Sequence, residues 1–247
     1  MGSGAVPGGA QLSRELLPIP GGSPNFGERR DGAAISLIVL HYTAMESCEA
    51  ARERLCDPEA EVSAHYLISE GGACTQLVAD DVRAWHAGAG AWGTVTDVNS
   101  ASIGIELANR GAHPFAAPQM DRLEALLVDL LTRHGLGPEA VIGHSDMAPG
   151  RKSDPGPRFD WRRLAYAGLS VWPGDDRPEG DPERFAEDAV RFGYSPNLTE
   201  ELLLGAVRLR FRPWARGPLD ARDAAIMADL AERHPAGGLT QARAVVT

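Results

Sequence analysis

The sequence predicts an α/β (α+β) fold in which a mixed β-sheet is flanked by helices, followed by a small C-terminal three-helix domain. Short apolar, β-prone runs alternate with helical patterns up to about residue 170, as expected for a sheet layered with helices. From residue 181 onwards the pattern contains three helices and no strand. A chain of 247 residues is long enough for one substantial core and a small second unit.

The first strand is predicted at residues 35–40, a continuous apolar run that is typical of a strand covered on both faces. This run leads directly into His41. Residues 63–69 and 74–79 flank the turn-forming sequence Glu70-Gly71-Gly72, which predicts a β-hairpin.

Two further strands and two helices complete this part of the chain. Residues 102–108 alternate in character and predict a strand, and residues 141–144 predict a short buried strand whose last residue is His144. Residues 46–55 have helical composition. The clearest helix is 120–134, where leucines recur at helical spacing, a proline stands just before the first turn and a glycine follows the last.

Composition divides the chain into four segments. Residues 1–30 are rich in Gly, Pro and Ser and predict a flexible lead-in, and residues 31–171 form the α/β domain. Residues 172–180 are turn-rich and predict a linker to the helical domain at 181–247. That domain is small enough that we expect it to depend on the first domain for stability. Its three helices each follow a capping residue: Asp181, Thr199 and Asp220.

Charge and composition exclude several classes of protein. The formal net charge of -10 argues against a general nucleic-acid-binding protein, which carries a basic stripe. No run approaches the roughly 18 apolar residues of a membrane span. The odd number of cysteines favours a reducing compartment, and the first residues lack the pattern of a signal peptide, so we expect a cytoplasmic protein. A periplasmic or outer-envelope location is the alternative if a native leader has been removed.

Three polar residues at predicted strand ends and in one loop could form a metal site. His41 and His144 each end a predicted strand, and Asp154 lies in the loop after His144. Two imidazoles and one carboxylate form a three-ligand zinc site that leaves the fourth position open for water, which is the catalytic arrangement. Spacing alone leaves open the alternative that the histidines form ordinary hydrogen bonds in the core or in loops.

Five segments of the chain carry distinctive motifs: LIVLHYTA (37–44), SAHYLIS (63–69), AWHAG (84–88), NSASIGIELAN (99–109) and GHSDMAPGRKSDPGPRFDW (143–161). These segments resemble the type-2 N-acetylmuramoyl-L-alanine amidases, especially their AmpD-like and AmiD-like branches. Their order and offsets agree with that family over roughly residues 35–165. Parts of the tail are similar to the helical peptidoglycan-binding-like domain of the AmiD-like branch.

The resemblance implies roles for individual residues. It implies zinc on His41, His144 and Asp154, with Glu106 and Lys152 as catalytic residues. Amide hydrolysis needs a group that takes a proton from water and gives one to the leaving amine, which a glutamate can do in turn, and a cation that stabilises the oxyanion. Further residues are expected to contact the substrate in the groove: Trp85, His86, Asn109, Arg110 and Arg151.

The function that the resemblance implies is zinc-dependent hydrolysis of the lactyl–L-Ala amide bond of (1,6-anhydro)muropeptides during peptidoglycan recycling. The expected partner is therefore a muropeptide or peptidoglycan. One alternative is a broad-specificity envelope amidase that acts on intact peptidoglycan, and another is a non-catalytic peptidoglycan-binding protein. A zinc peptidase is a third alternative, but the H-E-x-x-H pattern of many such enzymes is absent. The sequence does not indicate an oligomeric state.

Overall fold

The computed structural model describes residues 22–175 and 179–236, and most of their strands form one mixed sheet. The sheet has five strands in the order β4-β3-β6-β2-β7, and a separate two-stranded ladder joins β1 to β5. β4 runs antiparallel to β3, and the other neighbours in the main sheet are parallel. The strands are β1 (Phe26–Gly27), β2 (Leu37–Tyr42), β3 (Tyr66–Ile68), β4 (Cys74–Gln76), β5 (Arg83–Ala84), β6 (Ser102–Leu107) and β7 (Val141–Gly143).

Helices cover both faces of this sheet, which confirms the predicted fold class. The helices are α1 (Cys48–Cys56), α2 (Val98–Ala101), α3 (Ala117–His134), α4 (His144–Met147), α5 (Trp161–Tyr166), α6 (Phe185–Phe192), α7 (Glu200–Phe211) and α8 (Ala221–Arg233). Among the described residues, none of these helices combines the length and the apolar character needed to cross a membrane.

The central strand β2 differs from the sequence prediction at its carboxyl end. It continues through His41 to Tyr42, because its neighbour β6 pairs with it residue by residue as far as Leu107. His41 thus lies within the strand that it was expected to end. The expectation for His144 is wrong, because β7 ends at Gly143 and His144 is the first residue of the helix α4. Side chains alternate along a strand, so His41 shares a face with Leu37 and Val39.

The helix α3 covers the opposite face of the sheet. Its leucine stripe, including Leu123 and Leu127, packs on Ile38 and Ile105 in one buried cluster. Gly135 ends the helix in the left-handed conformation, where glycine is favoured because it has no Cβ. The face of β2 opposite His41 is therefore buried against α3.

The C-terminal helices cover the face of β2 that carries His41. Phe185 of α6, Val207 of α7 and Ile226 of α8 belong to one buried cluster that also contains Leu37 and Val39. The three helices and the sheet thus share a core across the position of the predicted linker, whose residues 176–178 lie outside the described part of the chain.

The last part of the predicted lead-in is hydrogen-bonded to α1, to the loop after β4 and to α2. The Ser23 hydroxyl donates to the Leu55 carbonyl oxygen, and the Arg29 guanidinium donates to backbone oxygens of Asp80 and Ser100. The hydrogen bonds of these polar side chains therefore hold residues 22–30 in place. The Gly- and Pro-rich composition of the segment does not indicate these contacts. The remainder of that predicted lead-in, residues 1–21, lies outside the described part.

Candidate metal centre and active-site cleft

A cavity of about 510 Å³ lies beside the carboxyl ends of β2 and β6. Ligands of sheets with parallel strands characteristically bind at this end. The cavity is lined by residues predicted as metal ligands, as catalytic residues and as substrate contacts. They are His41, Trp85, His86, Glu106, His144, Arg151, Lys152 and Asp154.

Three of these residues converge on one point. His41 Nδ1 lies 2.9 Å from His144 Nδ1, and Asp154 Oδ2 lies 2.9 Å and 3.0 Å from these two nitrogens. All three side chains are buried. Within the described residues, this is the group of three histidine, cysteine or acidic side chains that could hold a metal ion.

The loop that carries Asp154 is tied to the start of α4. The Ser145 backbone N–H donates to the Asp154 carbonyl oxygen over 2.9 Å. A Cβ on Gly143 would lie 2.9 Å from the Pro155 ring, so the two segments approach as closely as they do only because residue 143 is glycine. His144 and Asp154 are therefore held next to each other by local backbone contacts.

The proton on His144 can be located from its neighbours. His144 Nε2 lies 2.8 Å from the Ala87 carbonyl oxygen, and a carbonyl oxygen can only accept a hydrogen bond. Nε2 therefore donates, and in the neutral ring the Nδ1 lone pair points to His41 and Asp154. A backbone oxygen that fixes the tautomer in this way is typical of metal-binding histidines.

The proton on His41 follows from a longer chain of hydrogen bonds. The Ser102 hydroxyl donates to the Val98 carbonyl oxygen, so it accepts from His86 Nε2 over 3.2 Å. His86 Nδ1 is then an acceptor, and His41 Nε2, 3.1 Å away, donates to it. Burial and the neighbouring His144 lower the pKa of His41 to about 4, which keeps its ring neutral with the Nδ1 lone pair free.

Two imidazole lone pairs and a carboxylate thus face one another without a proton between them. Three electron-pair donors this close together repel one another unless a cation lies among them. The donor set therefore fits a metal ion, and nitrogen with carboxylate oxygen is a set that zinc accepts.

Glu106 lies beside this group. It is paired with His41 in the parallel register of β2 and β6, so both side chains point to the same face of the sheet. Its Oε2 is buried and has no hydrogen-bond partner among the described residues. Burial, reinforced by the negative charge of Asp154, raises the pKa of Glu106 to about 8, although Lys152 opposes this increase.

The neighbouring cations differ in what they contact. Lys152 is exposed and lines the cavity. Arg151 also lines it, but its guanidinium donates to the carbonyl oxygens of Ala87 and Ala89. Arg151 therefore holds the loop whose carbonyl group fixes His144.

The structure separates the predicted substrate contacts into two sets. Trp85 and His86 line the cavity, although both ring nitrogens of His86 contact groups of the protein. Asn109 and Arg110 do not line it. Asn109 accepts a hydrogen bond from the Gly111 backbone over 2.7 Å, and Arg110 forms an ion pair of 2.9 Å with Glu46.

Sequence reasoning missed several residues around the cleft. Ser102 and Gly104 precede Glu106 on the same face of β6, and a Cβ on Gly104 would lie 2.4 Å from the His86 ring. The alternation of small and polar residues at 102, 104 and 106 was the available signal. Arg54, on the exposed side of α1, also lines the cavity, and nothing in its local pattern marked it.

This fold and cleft match one family of enzymes. Residues 31–157 match the sequence profile of the family described as N-acetylmuramoyl-L-alanine amidase. The matched range contains all three residues of the candidate metal group, Glu106 and Lys152. The chain belongs to this family of amidases.

Particular members are similar over most of the chain. The N-acetylmuramoyl-L-alanine amidase AmiD of Escherichia coli is 34% identical over 81% of this chain and 83% of its own length. The structure of E. coli AmiD with the substrate anhydro-N-acetylmuramic acid-L-Ala-D-gamma-Glu-L-Lys superposes with a TM-score of 0.74, at 33% identity over 83% of this chain and 92% of that one. The 1,6-anhydro-N-acetylmuramyl-L-alanine amidase AmpD of Enterobacter cloacae is 42% identical over 58% of this chain and 85% of its own.

Proposed function

We propose that this protein is a zinc-dependent N-acetylmuramoyl-L-alanine amidase that hydrolyses the amide bond between the lactyl group of 1,6-anhydro-muramic acid and L-alanine. The observation that carries the proposal is the convergence of His41, His144 and Asp154 beside Glu106 in one cavity. A metal group next to a carboxyl supplies the two components that amide hydrolysis requires, which are activated water and a group that transfers protons.

The substrate class is supported by the relatives. The AmpD relative is named for a 1,6-anhydro substrate, and AmiD of E. coli is seen with an anhydro-muramyl peptide. AmiD is also similar beyond the catalytic segment, since its match covers 81% of this chain. We therefore infer that an anhydro-muramyl peptide occupies the cleft, and that the protein acts in peptidoglycan recycling.

Zinc is the metal we assign to His41, His144 and Asp154. Bound there, zinc supplies a Lewis acid that polarises the amide carbonyl and activates water at neutral pH. Two neutral imidazoles and one carboxylate leave room for a further ligand, as catalytic zinc sites require.

Glu106 performs the proton transfers in this proposal. As water attacks the carbonyl carbon, its proton passes to the Glu106 carboxylate, and the carbonyl π electrons move onto oxygen. When the carbon–nitrogen bond breaks, Glu106 returns that proton to the L-alanine nitrogen, which leaves as a free amine. A carboxyl beside the metal group can accept the proton in the first step and return it in the second.

The remaining residues bind substrate or maintain the cleft. We assign Lys152 to the developing oxyanion, because it lines the cavity two positions before Asp154 and carries a fixed positive charge. Trp85 lines the cavity and is assigned to substrate contact. His86 and Arg151 are assigned to holding the cleft, and Arg110 to a part of the substrate that extends beyond it. Asn109 is buried and its side chain accepts from the Gly111 N–H, so we assign it to shaping the loop after β6.

The location we propose is the cytoplasm. The three cysteines are all free and half-buried: Cys48, Cys56 and Cys74. Unpaired cysteines persist where thiols are kept reduced. Cell fractionation with a tagged full-length protein tests this, and recovery with the envelope would contradict it.

A product assay by mass spectrometry tests the proposed reaction. A purified 1,6-anhydro-muramyl tripeptide and intact peptidoglycan sacculi are incubated with the protein, each with and without a chelator. We expect chelator-sensitive release of free peptide from the small substrate. Comparable release from sacculi would favour the broad envelope amidase, and no release from either substrate by zinc-loaded protein would contradict the amidase proposal.

A further inference from the structure

The corner between β7 and α4 is held by residues of the C-terminal helices. Asp146 is the third residue of α4, and its Oδ2 accepts a hydrogen bond of 2.8 Å from the Gly143 backbone N–H. This contact closes the turn in which the chain passes from β7 into α4, at His144. The orientation of His144 therefore depends on the position of the Asp146 carboxylate.

Arg210 of α7 binds both sides of this corner. Its Nη1 donates to Asp146 Oδ2 over 2.6 Å, and its Nη2 contacts the Val141 carbonyl oxygen of β7 at 3.3 Å. The guanidinium also lies 4.0 Å from the centre of the Trp161 ring. The Arg210 and Asp146 side chains are 1% and 0% exposed, so solvent does not weaken this pair.

Tyr194, just after α6, completes the arrangement. Its hydroxyl donates to Asp146 Oδ1 over 3.0 Å, and the residue is buried. Both carboxylate oxygens of Asp146 are thus bound by side chains from the C-terminal helical region. A charged pair buried in this way is seldom more stabilising than apolar packing, but it is directional, and it fixes the geometry of the groups it joins.

The same corner carries two of the three candidate metal ligands. His144 is the first residue of α4, and the Ser145 N–H holds the Asp154 backbone 2.9 Å away. A displacement of α4 relative to β7 therefore moves His144 and Asp154 together, while His41 stays in β2.

We propose that Arg210 and Tyr194 are positioning residues of the metal centre, which act through Asp146 to set the geometry of His144 and Asp154. The inference rests on the metal site of the proposed function. It assigns the C-terminal helices a part in building the catalytic centre, in addition to covering the sheet.

The chain offers a matched control on the same helix. Arg208 of α7 is also buried and pairs with a buried carboxylate, Asp223, at 2.6 Å, but that carboxylate belongs to α8. Arg210→Gln and Arg208→Gln each remove one buried guanidinium from α7. Only the first of these variants loosens the corner that carries His144.

The experiment compares full-length wild type and both variants. Zinc affinity is measured by competition with a chromophoric chelator, the ligand geometry by the visible spectrum of the cobalt(II)-substituted protein, and unfolding by circular dichroism of the metal-free protein. We expect both variants to lower the unfolding temperature. We expect only Arg210→Gln to weaken zinc binding, by roughly tenfold, and to change the cobalt spectrum.

Equal zinc affinities and identical cobalt spectra for the two variants would overturn the proposal. If Arg210→Gln does not fold, the same measurements are made on Tyr194→Phe, which removes one hydroxyl and keeps the buried ring. We expect it to weaken zinc binding by roughly threefold with a shifted cobalt spectrum, and unchanged values would overturn the proposal. Wild-type protein that binds no zinc would instead contradict the metal site itself.

Discussion

His41 and Glu106 face each other across neighbouring parallel strands, in the same register position of β2 and β6. One side chain belongs to the candidate metal group, and the other is the buried carboxyl assigned to proton transfer. The pairing of these two strands therefore fixes the separation between the candidate metal group and the carboxyl assigned to proton transfer. Because the two groups have separate roles, their variants should have separable effects.

Glu106→Gln is expected to lower kcat by about 10²–10⁴-fold, because the amide cannot accept a proton from water. Zinc content should stay at the wild-type level, since Glu106 is not among the three converging residues. Steady-state kinetics on an anhydro-muramyl tripeptide, together with elemental analysis of the same sample, check both statements. Wild-type turnover at full zinc occupancy would remove Glu106 from the mechanism.

Asp154→Ala is expected to weaken zinc binding by more than about a hundredfold, because it removes one of three ligands and leaves two imidazole lone pairs facing each other. Asp160→Ala is the matched control. That residue follows closely in sequence and caps α5 through the Arg163 backbone N–H, away from the cavity. Zinc affinity measured by chelator competition should fall only in the first variant. An equal loss in both would contradict the ligand assignment.

Gly104→Ala tests the room left for His86 beside β6. The new Cβ would lie 2.4 Å from the His86 ring, so the ring must move and its contact with His41 must break. We expect a loss of about 1–3 kcal/mol in the free energy of unfolding, together with weaker zinc binding. Gly27→Ala serves as the control, because nothing lies within 4 Å of its Cβ position. The measurements are urea unfolding and zinc competition. Unchanged zinc binding in Gly104→Ala would contradict the role of the His86–His41 hydrogen bond in orienting His41.

The raised pKa of Glu106 predicts a pH dependence of stability in the metal-free protein. A carboxyl whose pKa rises from 4.5 to about 8 on folding favours the protonated form in the folded state. Its contribution is therefore complete below pH 4.5 and is lost as the pH rises through about 8. Each tenfold difference in proton affinity between the folded and unfolded states corresponds to at most about 1.4 kcal/mol of stability.

Glu106→Gln isolates this contribution, because the amide does not titrate. We expect the stability of metal-free wild type, relative to this variant, to decrease between pH 4.5 and about 8 in urea unfolding experiments. His41, whose pKa is lowered, is common to both proteins and cancels in the difference. A difference that is constant across this range would show that the pKa of Glu106 is not raised by folding.

The sequence was sufficient to predict the sheet and its main helix because their patterns are local. The run at residues 35–40 and the leucines of α3 carry the periodicity of their own elements. The end of β2 was misplaced because pairing with β6, which local pattern does not reveal, extends the strand through Tyr42.

Contacts between distant segments could not be predicted in the same way. An apolar stripe on α6, α7 or α8 indicates that the helix is covered but does not identify the sheet face that covers it. Arg210 and Asp146 are 64 positions apart, and each would ordinarily be placed at the surface. The hydrogen bonds that join Ser102, His86 and His41 could not be predicted for the same reason. They depend on Gly104, which leaves space for the His86 ring on a neighbouring segment.

Zinc reconstitution of the metal-depleted protein tests whether hydrolysis depends on a metal ion at the proposed site. Zinc is added in steps while release of free peptide from an anhydro-muramyl tripeptide is followed by mass spectrometry. We expect no hydrolysis without metal, and a rate of peptide release that rises with added zinc and saturates at one zinc per chain. Full hydrolysis by metal-free protein, or none at one bound zinc per chain, would contradict this dependence on the metal.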